Sequence, residues 1–365
     1  MRKVLIRVLI ALAIVASVAA CGSDDDAETA DTATPATTAA SAPATTAAPE
    51  DMAPTELDVA MILLGTKEEG WYATFIDSMN RVIENQPHGL TMTLDTFEEI
   101  AYADGERVIR DLAQQGKYEM IVAHSTYVDG VQAVQGDYPD MLFAYSGSGN
   151  DDHVGGTNAY WIDVFIHEPA YLAGIIAGMM TETNKLSAVA AFPFPNVNGP
   201  LNAFFDGARS VNPDVEIAGV TYIESWFDPA TGANAAAAQI DAGADIVYAE
   251  RFGPFAAAEE AGNVRAIGHF TDQLGLSDVV LTSAVAQWDA AINDLVDAWY
   301  GYHTEGTPYN APGERIVYQS MRDGGSALGG ISDAVPADVV AAVEEAEAAI
   351  LAGELTIPLV LDSPS

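Results

Sequence analysis

Cysteine is almost absent from this chain of 365 residues: Cys21 is its one thiol. A single thiol closes no internal disulfide and builds no thiolate-based structural zinc site, which needs at least two. Basic residues are also scarce, with 14 Lys+Arg against 53 Asp+Glu and a formal net charge of −39. Nucleic acids and anionic headgroups are recognised through Lys and Arg, so the composition excludes nucleic acid as a partner. Six scattered histidines (88, 124, 153, 167, 269 and 303) include no HxxxH pair, and neither a metal nor a cofactor is expected. Aromatics are 8% of the residues, so a place where they gather is informative. What the chain does have is 49% apolar residues, enough to bury a sizeable core, expected in two lobes.

The N-terminus is an address. Arg2, Lys3 and Arg7 accompany an apolar run from Val8 to Val18, which breaks at Gly22 and Asp24. A span needs about 20 apolar residues, so residues 1–20 read as an export signal rather than a membrane helix. Val18-Ala19-Ala20-Cys21 resembles a bacterial lipobox, which makes Cys21 the expected lipidation site and new N-terminus. Residues 21–56 are then the lipidated cysteine and a tether rich in Ala, Thr, Pro and Ser. With Met52 its one large apolar side chain, that stretch has little to offset the entropy of ordering.

From Leu57 the pattern changes to short apolar runs of the kind buried in parallel sheets. They recur at Leu57–Leu64, Leu90–Leu94, Met120–Ala123, Met141–Tyr145, Leu186–Ala191, Val215–Ile223, Ile246–Ala249, Val264–Ile267 and Val279–Leu281. Between most of them lie helical stripes, such as Val108, Ile109 and Leu112, or Tyr171, Leu172, Ile175, Ile176 and Met179. Asp228-Pro229 predicts an N-cap with a first-turn proline, and Val339, Val343, Ala346 and Ile350 line a late helix that stops at Gly353. Such alternation predicts an α/β chain of two lobes, each a doubly wound, mostly parallel sheet.

In such sheets ligands bind beyond the carboxyl ends of the strands. Those ends carry Gly65-Thr66-Lys67-Glu68-Glu69-Gly70-Trp71-Tyr72, His124-Ser125-Thr126-Tyr127, Ser146-Gly147-Ser148-Gly149-Asn150, Phe192-Pro193-Phe194, Ser225-Trp226-Phe227-Asp228, Glu250-Arg251-Phe252, His269-Phe270-Thr271-Asp272 and Gln287-Trp288. Rings converging from two lobes with a few polar groups describe a slot for a flat ligand. The plainer alternative is that some of these rings pack the lobe cores. Arg251 beside Glu250 reads as a ligand clamp or as a local ion pair.

Motifs for chemistry are missing. Gly65-x4-Gly70 has P-loop spacing, but Trp71-Tyr72 stand where Lys and Ser/Thr are required. Gly147-Ser148-Gly149 lacks the third glycine of a dinucleotide fingerprint, because position 152 is Asp. His167-Glu168 is followed by Tyr171 rather than a second zincin histidine, and no GxSxG elbow occurs. No catalytic residue is assigned, and the chain is not expected to be an enzyme.

Residues 57 to about 355 resemble the basic membrane protein family, the lipid-anchored substrate-binding components of bacterial ABC importers for purine nucleosides and related purines. The resemblance is carried by Glu106-Arg107-Val108-Ile109-Arg110-Asp111-Leu112-Ala113, by Tyr171 to Thr181, and by Ala190-Ala191-Phe192-Pro193. It continues through Asn202-Ala203-Phe204 to Asp214, Trp226-Phe227-Asp228-Pro229, Asp241-Ala242-Gly243-Ala244-Asp245 and Leu281-Thr282-Ser283. It implies a type I periplasmic-binding-protein clamshell with three hinge crossings. One lobe would hold residues 57–161 plus 288–306, the other 162–287 plus 307–365. It further implies a purine ring sandwiched by aromatics, best matched by Trp71 and Trp226, with polar groups from Ser125 and from the segment Gly268–Asp272.

The expected ligand-binding set is Trp71, Tyr72, Ser125, Tyr127, Trp226, Arg251, Phe270, Asp272 and Trp288. Two departures from the family pattern bear on the ligand. Phe270 stands where members often carry an acid able to accept from a ribose hydroxyl, and Tyr72-Ala73-Thr74-Phe75 follow Trp71 without the usual His-Asp pair. Both favour a free nucleobase or another flat heterocycle over a nucleoside. The expected partners are a purine-like ligand, an ABC permease, and the membrane through the lipid on Cys21. The protein is expected as a monomer on the extracytoplasmic face of the cell membrane. Other readings are a sugar-binding protein, a ligand sensor and a surface enzyme acting on nucleosides.

Overall fold

The computed structural model describes residues 53–125, 127–147 and 156–365. The expected export signal and Cys21 lie outside the described residues, as do all but the last four residues of the expected tether. From Glu56 the chain runs β1 (Glu56–Leu63), α1 (Gly70–Asn85), β2 (Thr91–Phe97), α2 (Gly105–Gln114), β3 (Met120–His124), α3 (Val128–Val134), β4 (Leu142–Ser146) and β5 (Ala159–Val164). It continues through α4 (His167–Met180), β6 (Lys185–Ala190), α5 (Pro195–Val211), β7 (Glu216–Tyr222), α6 (Pro229–Asp241), β8 (Ile246–Ala249), α7 (Pro254–Ala261), β9 (Arg265–Phe270) and β10 (Val280–Ala286). The last elements are α8 (Asp289–Glu305), β11 (Ile316–Tyr318), β12 (Ser326–Leu328) and α9 (Ala337–Ala352).

Two six-stranded sheets result, in the orders β11-β5-β4-β3-β1-β2 and β12-β10-β9-β8-β6-β7. The first is parallel throughout, and the second is parallel except for the β10–β12 pair. Central strands β3, β4 and β8 are buried along their whole length, as their unbroken apolar runs require. Edge strand β7 is half-buried and mixes Glu216, Gly219 and Thr221 into its apolar pattern. The chain passes between the sheets three times: after β5, after β10, and between β11 and β12. From the stretch 307–365, β11 joins the first sheet and β12 the second; β5 crosses position 161 unbroken.

All nine apolar runs marked in the sequence overlap strands. Strands β5, β11 and β12 had no such signal. The last two have three residues each, too few for periodicity, and β5 (AYWIDV) interrupts its apolar run with Asp163. The predicted caps are present: the Asp228 carboxylate accepts from the Thr231 N–H at 2.9 Å, and Gly353 closes α9 in the left-handed region at φ 74°. Helix α4 is buried against α5 as an apolar pair. A Cβ at Gly174 would lie 2.1 Å from the Phe204 carbonyl oxygen, so only glycine permits this approach. No described helix is long and apolar enough to cross a membrane.

Candidate functional site in the interlobe cleft

The carboxyl ends of both sheets face one cavity of about 330 Å³. Helix α1 starts at its rim because Gly70 can lie against Phe270: a Cβ there would sit 3.2 Å from the Phe270 ring. Its first turn delivers Trp71 and Tyr72. Ser125 follows β3, Gly147 follows β4, and α5 opens with Asn196 and Val197. From the second sheet come Trp226 and Phe227 after β7, Glu250 and Arg251 after β8, and Phe270 ending β9.

Trp71 is held from behind. Its ring stacks on His124 at 5.2 Å with planes 14° apart, and Trp288 meets it edge-on at 5.1 Å. The His124 ring is wholly buried, with Nε2 3.2 Å from the Trp71 carbonyl and Nδ1 2.7 Å from Ser146 Oγ. A carbonyl only accepts, so Nε2 carries the proton and Nδ1 accepts from the Ser146 hydroxyl. Burial pushes His124 down to about 3, so it stays neutral.

From Trp71 a row of groups crosses to the second lobe. The Phe270 ring meets Trp71 edge-on at 5.6 Å, and the Arg251 guanidinium lies over Phe270 at 5.4 Å and over Trp226 at 5.1 Å. Trp226, 44% exposed, rests on Phe192 at 5.0 Å. Phe270 adopts the left-handed region at φ 67°, which a side chain with a Cβ disfavours by roughly 1–2 kcal/mol. Strain of this kind persists only where the surroundings impose it, and here the ring is pinned between Arg251 and Trp71.

Glu250 anchors the row. Its buried carboxylate takes two bonds from Arg251, Nε to Oε2 at 3.0 Å and Nη2 to Oε1 at 2.6 Å, and accepts the Ala191 N–H at 2.8 Å. Burial raises the Glu250 carboxyl and Arg251 pulls it back. Behind them the Tyr248 hydroxyl lies 2.9 Å from His269 Nδ1, and burial holds His269 neutral, well below its ordinary value. Burial, then the nearby Glu69, pushes the Tyr72 hydroxyl up.

Six of the nine expected residues line the cavity: Trp71, Tyr72, Ser125, Trp226, Arg251 and Phe270. Three do not. Tyr127 is buried and donates to the Ile100 carbonyl at 2.6 Å. Trp288 is wholly buried behind Trp71, its Nε1 donating to Thr74 Oγ1 at 3.1 Å. Asp272 is spent on backbone, accepting from the Leu274 N–H in its own loop and from the Gly330 N–H beyond β12. Each follows a strand end, but a strand-end position does not say whether the side chain turns to the cleft or back into the lobe. Asn196 and Val197 were missed, and Glu69, in the marked stretch after β1, stands outside the expected set. Asn196 lies four residues beyond Phe192, so following each strand end into the next helix finds it.

Two α/β lobes with ligand-facing groups at both sets of strand ends is the geometry of a solute-binding clamshell. The profile of the Bmp family, described as ABC transporter substrate-binding protein PnrA-like, matches residues 57–305. The chain belongs to the Bmp family. It is an ABC transporter substrate-binding protein by that membership, with the type I periplasmic-binding-protein fold. A purine-binding protein of Brucella abortus is 28% identical to this Bmp-family chain over 309 residues, 83% of each. A Haloferax volcanii protein, provisionally named as the glucose-binding protein of an ABC transporter, is 41% identical over 169 residues. That match spans 45% of this chain and 41% of the Haloferax protein. Among solved structures, an ABC transporter solute-binding protein from Conexibacter woesei superposes with a TM-score of 0.65 at 22% identity. It covers 83% of this chain and 99% of its own, a likeness of fold.

Proposed function

We propose that the cleft binds a purine nucleobase or nucleoside against Trp71 and Trp226 and that the protein hands it to a membrane permease. The observation that carries this reading is the row Trp71–Phe270–Arg251–Trp226, which spans the two lobes along one 330 Å³ cavity. A flat ring in that cavity exchanges water for π-faces on both lobes, and contacts to both lobes favour the closed arrangement over the open one. The name of the Brucella relative supports the purine class. Phe270 at the rim, where an acid would serve a ribose, favours the nucleobase.

The protein is held at the extracytoplasmic face by lipid on Cys21, with residues 22–56 as its tether and a permease as its partner. Cys21→Ser should then move it from the membrane fraction to the soluble one. Calorimetric titration of purines against the parent protein and Trp226→Ala tests the site. A stacked base is worth roughly 1–3 kcal/mol, so the variant should bind about five- to a hundredfold more weakly. Equal affinity in both would remove Trp226 from the site.

A sugar is the second reading, favoured by the Haloferax relative's name. Sugars also stack on aromatic rings but use more planar polar groups to reach their hydroxyls. A thermal-shift panel of purines, pyrimidines and sugars separates the two readings.

A further inference from the structure

We infer that the cleft selects oxopurines, rings with an exocyclic carbonyl beside an unprotonated ring nitrogen, over aminopurines; this inference rests on the purine reading above. It starts from the unused edge of Arg251. The guanidinium carries five N–H donors in a fixed plane. Glu250 takes those of Nε and one of Nη2. The second hydrogen of Nη2 and one of Nη1 form the adjoining edge, and that edge makes no hydrogen bond to the described residues. Arg251 lines the cavity with its side chain 10% exposed, and the rings of Trp226 and Phe270 hold its plane.

Two parallel donors call for two neighbouring acceptors. A carboxylate or phosphate has them, but the charge of Arg251 is already matched by Glu250, and the Glu69 carboxylate faces the same cavity. An anion would enter a site with no net positive charge to receive it. A neutral acceptor pair fits instead. The O6 and N7 atoms of an oxopurine form such a pair, and Arg binds them in a bidentate manner in nucleic-acid recognition. An amino group at the same ring position would set N–H against N–H.

Asn196 points the same way independently. Its Oδ1 is buried at the cleft wall with no hydrogen-bond partner among the described residues. A buried acceptor left unpaired is costly, and the ring N–H beside the carbonyl of an oxopurine would satisfy it. An asparagine amide can turn over and present either group; a guanidinium has no acceptor to present. Arg251 therefore carries the discrimination, and Asn196 supplies the complementary contact.

Calorimetry on the full chain, freed of any bound ligand, tests this with hypoxanthine, guanine, adenine and 7-deazahypoxanthine. Hypoxanthine and guanine should bind roughly ten- to a hundredfold more tightly than adenine, and loss of N7 should cost hypoxanthine a factor of the same order. Arg251→Lys keeps a cation against Glu250 but loses the fork, and should bring hypoxanthine and adenine to similar affinity. Adenine binding as tightly as hypoxanthine, 7-deazahypoxanthine binding like hypoxanthine, or a preference that survives Arg251→Lys would each overturn the inference while leaving purine binding intact. Should Arg251→Lys fail to fold, the deaza comparison on the parent decides alone. Binding of no purine at all would instead overturn the purine reading, and this inference with it.

Discussion

The indole of Trp71 and the imidazole of His124 lie 5.2 Å apart and 14° from parallel, so one face of Trp71 is already covered. His124 also binds the Trp71 carbonyl and Ser146, which fixes where the other face of the indole can point.

His124→Ala should therefore harm both stability and binding. Losing a buried ring and its two hydrogen bonds costs about 2–4 kcal/mol in urea unfolding. Purine affinity should fall about tenfold as Trp71 loses its backing, since stacking is worth roughly 1–3 kcal/mol per base. Lost stability with unchanged affinity would make His124 a core residue only.

Glu250 and Arg251 should behave as a unit. Glu250→Ala leaves a buried guanidinium unpaired and the Ala191 N–H without its acceptor, at a cost of about 3–5 kcal/mol. Adding Arg251→Met to that variant should restore part of the loss, because an apolar side chain has no charge to strand. A double-mutant cycle in urea measures the coupling, and additive losses would show that the pair does not act together.

Phe270 stores backbone strain at φ 67° and spends its ring on Arg251 and Trp71. Phe270→Gly and Phe270→Ala lose the same ring, but glycine accepts the left-handed conformation. The glycine variant should be more stable than the alanine variant by about 1 kcal/mol by thermal or urea unfolding. Alanine matching or exceeding glycine would mean the loop relaxes once the ring is gone.

Acid should weaken the fold through buried histidines. Burial pushes His124 down to about 3 and His167 to about 4, and lowers His269 further than its neighbour Arg251 alone would. The folded form is the neutral one, while the unfolded histidine takes a proton near pH 6.5. Below about that pH the unfolded chain binds more protons, so these groups' stabilisation is full above it and is lost as pH falls towards 4. Glu168 and Glu250 have raised values and oppose this, gaining stability on protonation. Replacing His167 by Gln isolates one histidine. The slope of unfolding free energy between pH 6 and 4.5 should flatten by about 1 kcal/mol per pH unit. An unchanged slope would show that His167 is protonated in the fold.

Much of the fold was legible because its signals are local. A strand buried on both faces must be apolar along its length, so Met120–Ala123 and Ile246–Ala249 announce themselves. A cap is written in two or three residues, as at Asp228-Pro229. The crossings back through β11 and β12 were not legible, because three residues in a sheet owe their conformation to the neighbouring strand.

The candidate site was legible as a set of strand ends and illegible in its facing. Trp71 and Trp288 both follow strands and both are indoles; one lines the cleft and the other lies wholly buried behind it. Sequence alone determined the scarcity of thiols and basic residues, the two-lobe α/β alternation and the gathering of aromatics at strand ends. Those follow from composition and from periodicities that each segment carries by itself. Tertiary structure decided which rings face the cavity, that Arg251 is paired on one edge and open on the other, and that Asn196 brings an acceptor unpaired among the described residues to the wall of the same cavity. The cavity gathers Trp71, Asn196, Trp226 and Phe270 from stretches tens to hundreds of positions apart, and the direction of a side chain beyond a strand end is set by what packs around it rather than by its own segment.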